Sequence, residues 1–262
     1  MRIAVISDLH SNATAVRAAL ASVEARGFDS IVILGDLLTY GCDPREVLDL
    51  VKETLSRHPA RLVTGNHDQM YFDLAAGNTS YLDRLPDWLR ETVQWTCERL
   101  DGMDLVSAFP WEKQFSLGGI FFAHANPFGY GDWTYLNGDS ELEAAMAALR
   151  NLDERIGVFG HAHRGKVMQY AGGAAPVRRE LGALPDLSCR IAPGDGAVAD
   201  PGSVGQPRGA GQNSSILFIE TDEAGVRFDL HRLQYDVGIH ISRIEASTLS
   251  RDTKIKLMSY FA

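Results

Sequence analysis

The sequence predicts an α/β fold. Three observations carry that prediction. Short β-branched and apolar runs recur along the 262 residues, helically spaced segments separate the early runs, and five of the runs end in Asp, Asn or His. Strands that alternate with helices imply parallel pairing through right-handed crossovers.

RIAVIS (2–7) reads as the first buried strand. Val16, Ala19, Leu20 and Val23 then follow helical spacing up to Gly27, which marks the stop. IVILG (31–35) is the second strand. In DPRE (43–46), Asp43 reads as N-cap, Pro44 as the first helical residue and Glu46 as the side chain reaching back, ahead of a stripe of Val47, Leu50, Val51 and Leu55. RLVTG (61–65) is the third strand.

Between 69 and 110 the pattern changes. Tyr81, Leu82, Leu85, Trp88, Leu89, Val93, Trp95 and Leu100 predict two or three amphipathic helices and no strand. FSLGGIFFAHAN (115–126) reads as a hairpin whose second strand ends at His124. The helix after it takes Ser140 and Glu143 as a capping box and turns Leu142, Ala145, Met146 and Leu149 to the core. IGVFGHAH (156–163) is another strand with a polar end. Gly, Pro and Ala enrich the stretch from Gly172 to Ser215, so 171–214 reads as a loop-rich segment with short strands. SILFIET (215–221) and VRFDLHRL (226–233) pair around the turn DEAG.

With 45% hydrophobic residues the chain can bury a sizeable core, and its length suits one domain, 1–262, carrying 69–110 as a lid-like helical insertion. A net charge of −9 argues against stable binding of duplex nucleic acid, which needs a basic stripe, but not against a small phosphorylated substrate. MRIAVISD enters structure without a signal-peptide pattern, and no apolar run approaches the roughly 20 residues of a membrane span. Three cysteines, Cys42, Cys97 and Cys189, share no CxxC spacing, so reduced thiols in a cytoplasmic protein are expected. A homo-oligomer is left open.

The polar strand ends carry the chemistry. They supply Asp8 and His10, then Asp36, then Asn66 and His67, then His124, then His161 and His163. Loops at the carboxyl ends of parallel strands converge on one crevice, so these donors are expected to gather in space. Asp8 and His10, spaced by the strand period, are expected to point to one side. Mixed carboxylate, imidazole and amide donors suit divalent ions such as Mn²⁺, Fe²⁺ or Zn²⁺. The donors outnumber the needs of one ion; two ions bridged by a shared carboxylate would use them all.

The order D-x-H, GD, GNHD, H and GHxH resembles the calcineurin-like metallophosphoesterase superfamily, and GSVGQPR (202–208) resembles its compact prokaryotic phosphodiesterase branch. The resemblance runs from Met1 to roughly residue 235 and implies a four-layer α/β/β/α sandwich with a helical insertion. It implies that Asp8, His10 and His163 hold one metal and Asn66, His124 and His161 the other, with Asp36 bridging. The implied ions are two Mn²⁺ or Fe²⁺, with Zn²⁺, Ni²⁺ or Mg²⁺ as alternatives. His67 would act near the leaving group, as acid or as stabiliser of phosphoryl charge. The implied reaction is hydrolysis of a small phosphodiester by a metal-bridging hydroxide. A phosphomonoesterase or protein phosphatase would share this site, and a non-catalytic scaffold that kept the fold is the alternative of another class.

Asp68 reads either as a carboxylate that orients an imidazole in catalysis or as the Asp of a tight turn. Arg208 reads as a substrate-phosphate contact or as a loop cap. Three positions depart from the common pattern: Ala162 for Thr, Ala125 for Gly and Asp200 for Asn. His58, His231 and His240 read as structural or surface residues, with His240 kept as a substrate-contact candidate. Trp88, Trp95, Trp111 and Trp133 read as packing.

Overall fold

The structure is a computed structural model and describes residues 1–171, 177–180, 186–208 and 213–261; parts of the expected loop-rich 171–214 segment therefore lie outside the described residues. In chain order the strands are β1 (Arg2–Ile6), β2 (Ser30–Ile33), β3 (Ala60–Val63), β4 (Trp111–Glu112), β5 (Gln114–Leu117), β6 (Ile120–Ala123) and β7 (Ile156–Phe159), followed by β8 (Lys166–Ala171), β9 (Val177–Glu180), β10 (Asp186–Ile191), β11 (Gly196–Asp200), β12 (Ser215–Asp222) and β13 (Gly225–Arg232). They form two sheets, ordered β10-β13-β12-β1-β2-β3-β4 and β5-β6-β7-β11-β8-β9. β1 to β4 are parallel, as are β6, β7 and β11, and antiparallel strands flank both runs.

Alternation along each strand dictates the layers. Ile3 and Val5 of β1 face the second sheet, whereas Ala4 and Ile6 face helices, and all four are fully buried. β2 divides Val32 from Ile31 and Ile33 in the same way, and β6 divides Ile120 and Phe122 from Phe121 and Ala123. Strands apolar on both faces need cover on both. The helices α1 (Ala13–Arg26) and α2 (Pro44–Arg57) cover the first sheet, α6 (Asp139–Asn151) covers the second, and the sheets pack on each other between them. This is the expected α/β/β/α sandwich.

Two expected capping boxes are corrected. Asp43 does precede α2 and Pro44 does open it, but Asp43 makes no side-chain cap. Arg243 of α7 (Val237–Ala246) lies 2.8 Å from Asp43 and 3.2 Å from Glu46, and Arg17 lies 2.9 Å from Glu46. Guanidinium partners on neighbouring helices thus outcompete the backbone amides for both carboxylates. α6 starts one residue before Ser140, with Gly138 in extended conformation as its N-cap, so Ser140 and Glu143 sit inside the first turns.

Residues 69–110 supply most of α3 (Asn66–Ala75), a 3-10 turn at Leu82–Arg84, α4 (Asp87–Arg99) and the single turn α5 (Leu105–Ala108). Tyr71, Val93, Leu100 and Leu105 join the core over the first sheet. Trp95 of α4 packs in a smaller cluster with Tyr40, Ile244 of α7 and Leu257 of α8 (Arg251–Met258). The helices α7 and α8 were not anticipated from the sequence, although Asp236 and Ser250 cap them with side-chain bonds to Gly238 and Thr253.

Candidate metal centre

Each expected donor stands just past the carboxyl end of a parallel strand: Asp8 and His10 after β1, Asp36 after β2, Asn66 and His67 after β3, His124 after β6, His161 and His163 after β7. The pleat does not align Asp8 with His10 as expected, because β1 stops at Ile6. Left-handed backbone aims them instead. Asp8 (φ 55°), His10 (φ 44°), Asp36 (φ 53°), His161 (φ 65°) and His163 (φ 59°) all occupy a region that non-glycine residues rarely enter. Each costs on the order of 1–3 kcal/mol, and such strain gathers where function over-determines the backbone. Glycines make room at two places: a Cβ on Gly65 would collide with the Asp36 carboxylate, and one on Gly160 with Ser7 and Asp8.

The donors assemble in two groups that share one residue. Ligand atoms of Asp8, His10, Asp36 and His163 lie within 4.8 Å of one another, as do those of Asp36, His124 and His161. Asn66, Oδ1 3.1 Å from His124 Nε2, borders the second group. Asn66 is half-buried, and the other six are almost fully buried.

The hydrogen bonds behind the imidazoles decide which atoms face inward. Nδ1 of His10 donates to Leu38 O (2.9 Å), that of His124 to Leu34 O (2.6 Å) and that of His163 to Gln206 O (2.5 Å). A ring that spends Nδ1–H this way presents the lone pair of Nε2. His161 is reversed: its Nε2 bonds Trp133 O at 3.0 Å, leaving Nδ1. The Nε2 atoms of His10 and His163 face each other at 3.1 Å, and Asp8 Oδ1 and Asp36 Oδ2 are buried without a hydrogen-bond partner. Converging lone pairs and orphaned carboxylate oxygens call for positive charge between them, so the donor set fits divalent cations.

The electrostatics agree. Burial alone would raise the carboxyl of Asp8, yet the adjacent His163 holds it below the usual carboxylate range; His124 and His67 do the same for Asp36. Burial would lower His124, but Asp36, 3.4 Å away, pulls it up to about 10. Burial drives His67 and His161 down to about 4.

His67 is held beside this cluster, with Nδ1 3.0 Å from Thr39 Oγ1 and Nε2 3.1 Å from Tyr40 Oη. Asp68 does not reach an imidazole. Its Oδ2 accepts from the backbone N–H groups of Asp36 (2.7 Å) and Gly65 (2.9 Å), and its Oδ1 from that of Leu37 (2.9 Å). The orienting role is corrected accordingly: Asp68 braces the turn that carries Asp36. Burial and the nearby Asp36 raise its carboxyl to about 7.

Arg208 donates to Gln206 Oε1 (3.0 Å) and Tyr40 Oη (3.4 Å), and its backbone N–H bonds His163 O (3.1 Å). Asp200 accepts from Gly202 N–H at 2.7 Å, and burial raises its carboxyl well above the ordinary range. Thr39, Tyr40 and Gln206, which the sequence reading did not single out, all touch site residues. The string GDLLTYG carries no signal for Thr39 and Tyr40, since both owe their placement to positive φ (76° and 66°).

The sequence model of the calcineurin-like phosphoesterase superfamily domain matches residues 1–224. The uncharacterized protein MJ0912 of Methanocaldococcus jannaschii is 29% identical over 240 residues, 90% of this chain and 88% of that one. Among solved structures, a metallophosphoesterase from Sphaerobacter thermophilus superposes with a TM-score of 0.76 at 24% identity, covering 99% of this chain and 100% of the other. The hypothetical protein PH1004 from Pyrococcus horikoshii OT3 gives 0.75 at 22% identity, covering 98% and 97%.

Proposed function

The chain belongs to the calcineurin-like phosphoesterase superfamily, and from that premise we propose that it is a dinuclear metal-dependent phosphodiesterase. The observation that carries this reading is the sharing of buried Asp36 between two donor groups. Asp8, His10 and His163 would hold one cation, Asn66, His124 and His161 the other, and Asp36 would bridge them. When bound, such cations supply an acidified water as nucleophile and neutralise the charge that builds on the phosphoryl oxygens. Manganese or iron suits the oxygen and imidazole donors.

The chain's own residues do the rest. Ser7 donates to Asp8 Oδ2 (2.6 Å) and His67 N–H to Asp36 Oδ1 (2.8 Å), so each carboxylate keeps its other oxygen for the cluster. The His67 ring, fixed by Thr39 and Tyr40, is neutral near pH 7 because burial lowers it to about 4. An arriving phosphoryl anion favours the charged imidazole, which then can donate its proton to the leaving oxygen. The diester preference rests on the likeness of GSVGQPR to the phosphodiesterase branch. The 69–110 segment borders the site through Trp88, stacked on Tyr40 at 6.0 Å, and we read it as a lid that restricts entry to small substrates.

Elemental analysis with a phosphoester panel tests the proposal. Two metals per chain and chelator-sensitive hydrolysis of bis(p-nitrophenyl) phosphate, exceeding that of the monoester, are expected. Tight metal without turnover of any phosphoester would leave the scaffold reading standing.

A further inference from the structure

The family match ends at residue 224, yet the chain beyond it reaches the site. Tyr260, two residues past Met258, the last residue of α8, lies with its ring 6.4 Å from that of Tyr40. Tyr40 in turn lies 4.6 Å from the ring of His10 and 4.9 Å from that of His67. The Arg208 guanidinium sits 5.9 Å from the rings of both Tyr40 and Tyr260. Lys256 of α8 follows, its Nζ 4.7 Å from the Tyr260 ring and 5.6 Å from that of Trp88. A file of rings and cations thus runs outward from His10 and His67: Tyr40, Arg208, Tyr260, Lys256.

Its composition suits a ligand. The chain has a net charge of −9, yet among the described residues neither Arg208 nor Lys256 is paired with a carboxylate. The Nε–H of Arg208 is buried with no hydrogen-bond partner. A buried guanidinium donor left unpaired beside a phosphoester site is costly until an anion arrives. Tyr260, Trp88 and Lys256 remain half-buried, so the outer end of the file is open to solvent. Cations held over aromatic rings keep their charge available while their stems pack.

We propose that Arg208, Tyr260 and Lys256 form a recognition wall that selects phosphoesters bearing an aromatic ring and a second negative charge, a nucleotide-like chemistry. The proposal rests on the phosphoesterase reading for the position of the reacting phosphoryl group. That group meets the Asp36 cluster; the second anion meets Arg208 and Lys256, and the ring lies against Tyr260. The rival account makes Lys256 and Tyr260 a clasp that only fastens α8 to α4.

Competitive inhibition of bis(p-nitrophenyl) phosphate hydrolysis by adenosine 3′,5′-bisphosphate and by inorganic phosphate separates the two. The native protein should bind the bisphosphate at least about tenfold tighter than phosphate, a difference within reach of one desolvated charge pair and one ring contact. Lys256→Met and Tyr260→Ala should each shrink that ratio several-fold, whereas Tyr260→Phe should retain it. A native ratio near one, or a ratio untouched in both variants, overturns the wall and leaves the clasp. Should Tyr260→Ala fail to fold, the half-exposed Lys256→Met decides. Calorimetric titration of the same proteins with both anions runs in parallel. If no phosphoester is hydrolysed with any metal, the phosphoesterase reading falls, and the calorimetric ratio still decides the wall.

Discussion

Asp68 shows how one residue holds a site without touching what the site binds. Its two oxygens accept three backbone N–H groups, from Asp36, Leu37 and Gly65, and all of them are buried. In Asp68→Asn one oxygen becomes an NH₂ that faces a donor. The orphaned amides should cost about 2–4 kcal/mol, read by urea denaturation. Because the turn carrying Asp36 loosens, metal content after dialysis should fall as well. His67 gives the complementary case. His67→Ala removes a ring that no donor group includes, so metal content should stay at the native level while kcat drops by about 10²–10⁴. Full activity in that variant would remove His67 from the mechanism; unchanged metal binding in Asp68→Asn would show that the turn holds without its brace.

At the scale of elements, what was legible followed from local rules. Buried strands announce themselves by β-branched runs, and a donor at a strand's carboxyl end can be placed in the crevice before any coordinates exist. So an α/β fold and the gathering of Asp8, His10, Asp36, His124, His161 and His163 could be read from local rules, while the four-layer sandwich came only with the family resemblance. The means of gathering could not. Left-handed backbone at Asp8 and His10 depends on tertiary bonds such as Asp8 N–H to Gly35 O (3.1 Å) and His10 N–H to Asp36 O (3.0 Å). The capping boxes failed for a similar reason: Arg243, some 200 residues downstream of Asp43, claims the carboxylate that local rules gave to the backbone. Long-range ties also fix the C-terminal helices. Glu91 of α4 accepts from the backbone and hydroxyl of Ser250 (both 2.6 Å) and from Thr253, so it caps α8 from outside. Glu91→Ala should cost about 1–2 kcal/mol in chemical denaturation, since the tie is partly exposed. An unchanged midpoint would mean that apolar packing around Trp95, Ile244 and Leu257 alone seats the helices.

For the whole molecule, the decisive fact is that the site is a seam. The first sheet delivers Asp8, His10, Asp36 and Asn66, the second His124, His161 and His163. Charge inside the seam therefore acts on the packing of one sheet against the other, and stability should report its titration. Consider the chelated protein. His67, His161 and His240 are each lowered to about 4 by burial, so their contribution is present above about pH 6.5 and is lost as pH falls toward 4. Asp68, raised to about 7, and Asp200, raised well above the ordinary carboxylate range, work against them over part of that range, whereas His10, also lowered by burial, acts with them. His124 has the opposite sign: raised to about 10 by Asp36, it stabilises fully below about 6.5 and loses its effect as pH climbs through 10, when Asp36 is left without a cationic partner. The melting temperature should therefore peak near pH 6.5–7 and decline on both sides. With saturating Mn²⁺ it should rise throughout, and the alkaline decline should flatten, because a cation that does not titrate replaces the proton beside Asp36. Differential scanning fluorimetry from pH 4 to 10, with chelator and with manganese, measures both curves. If the alkaline limb has the same slope in the two, the positive charge that Asp36 needs is not supplied by metal, and the seam is held by imidazolium alone.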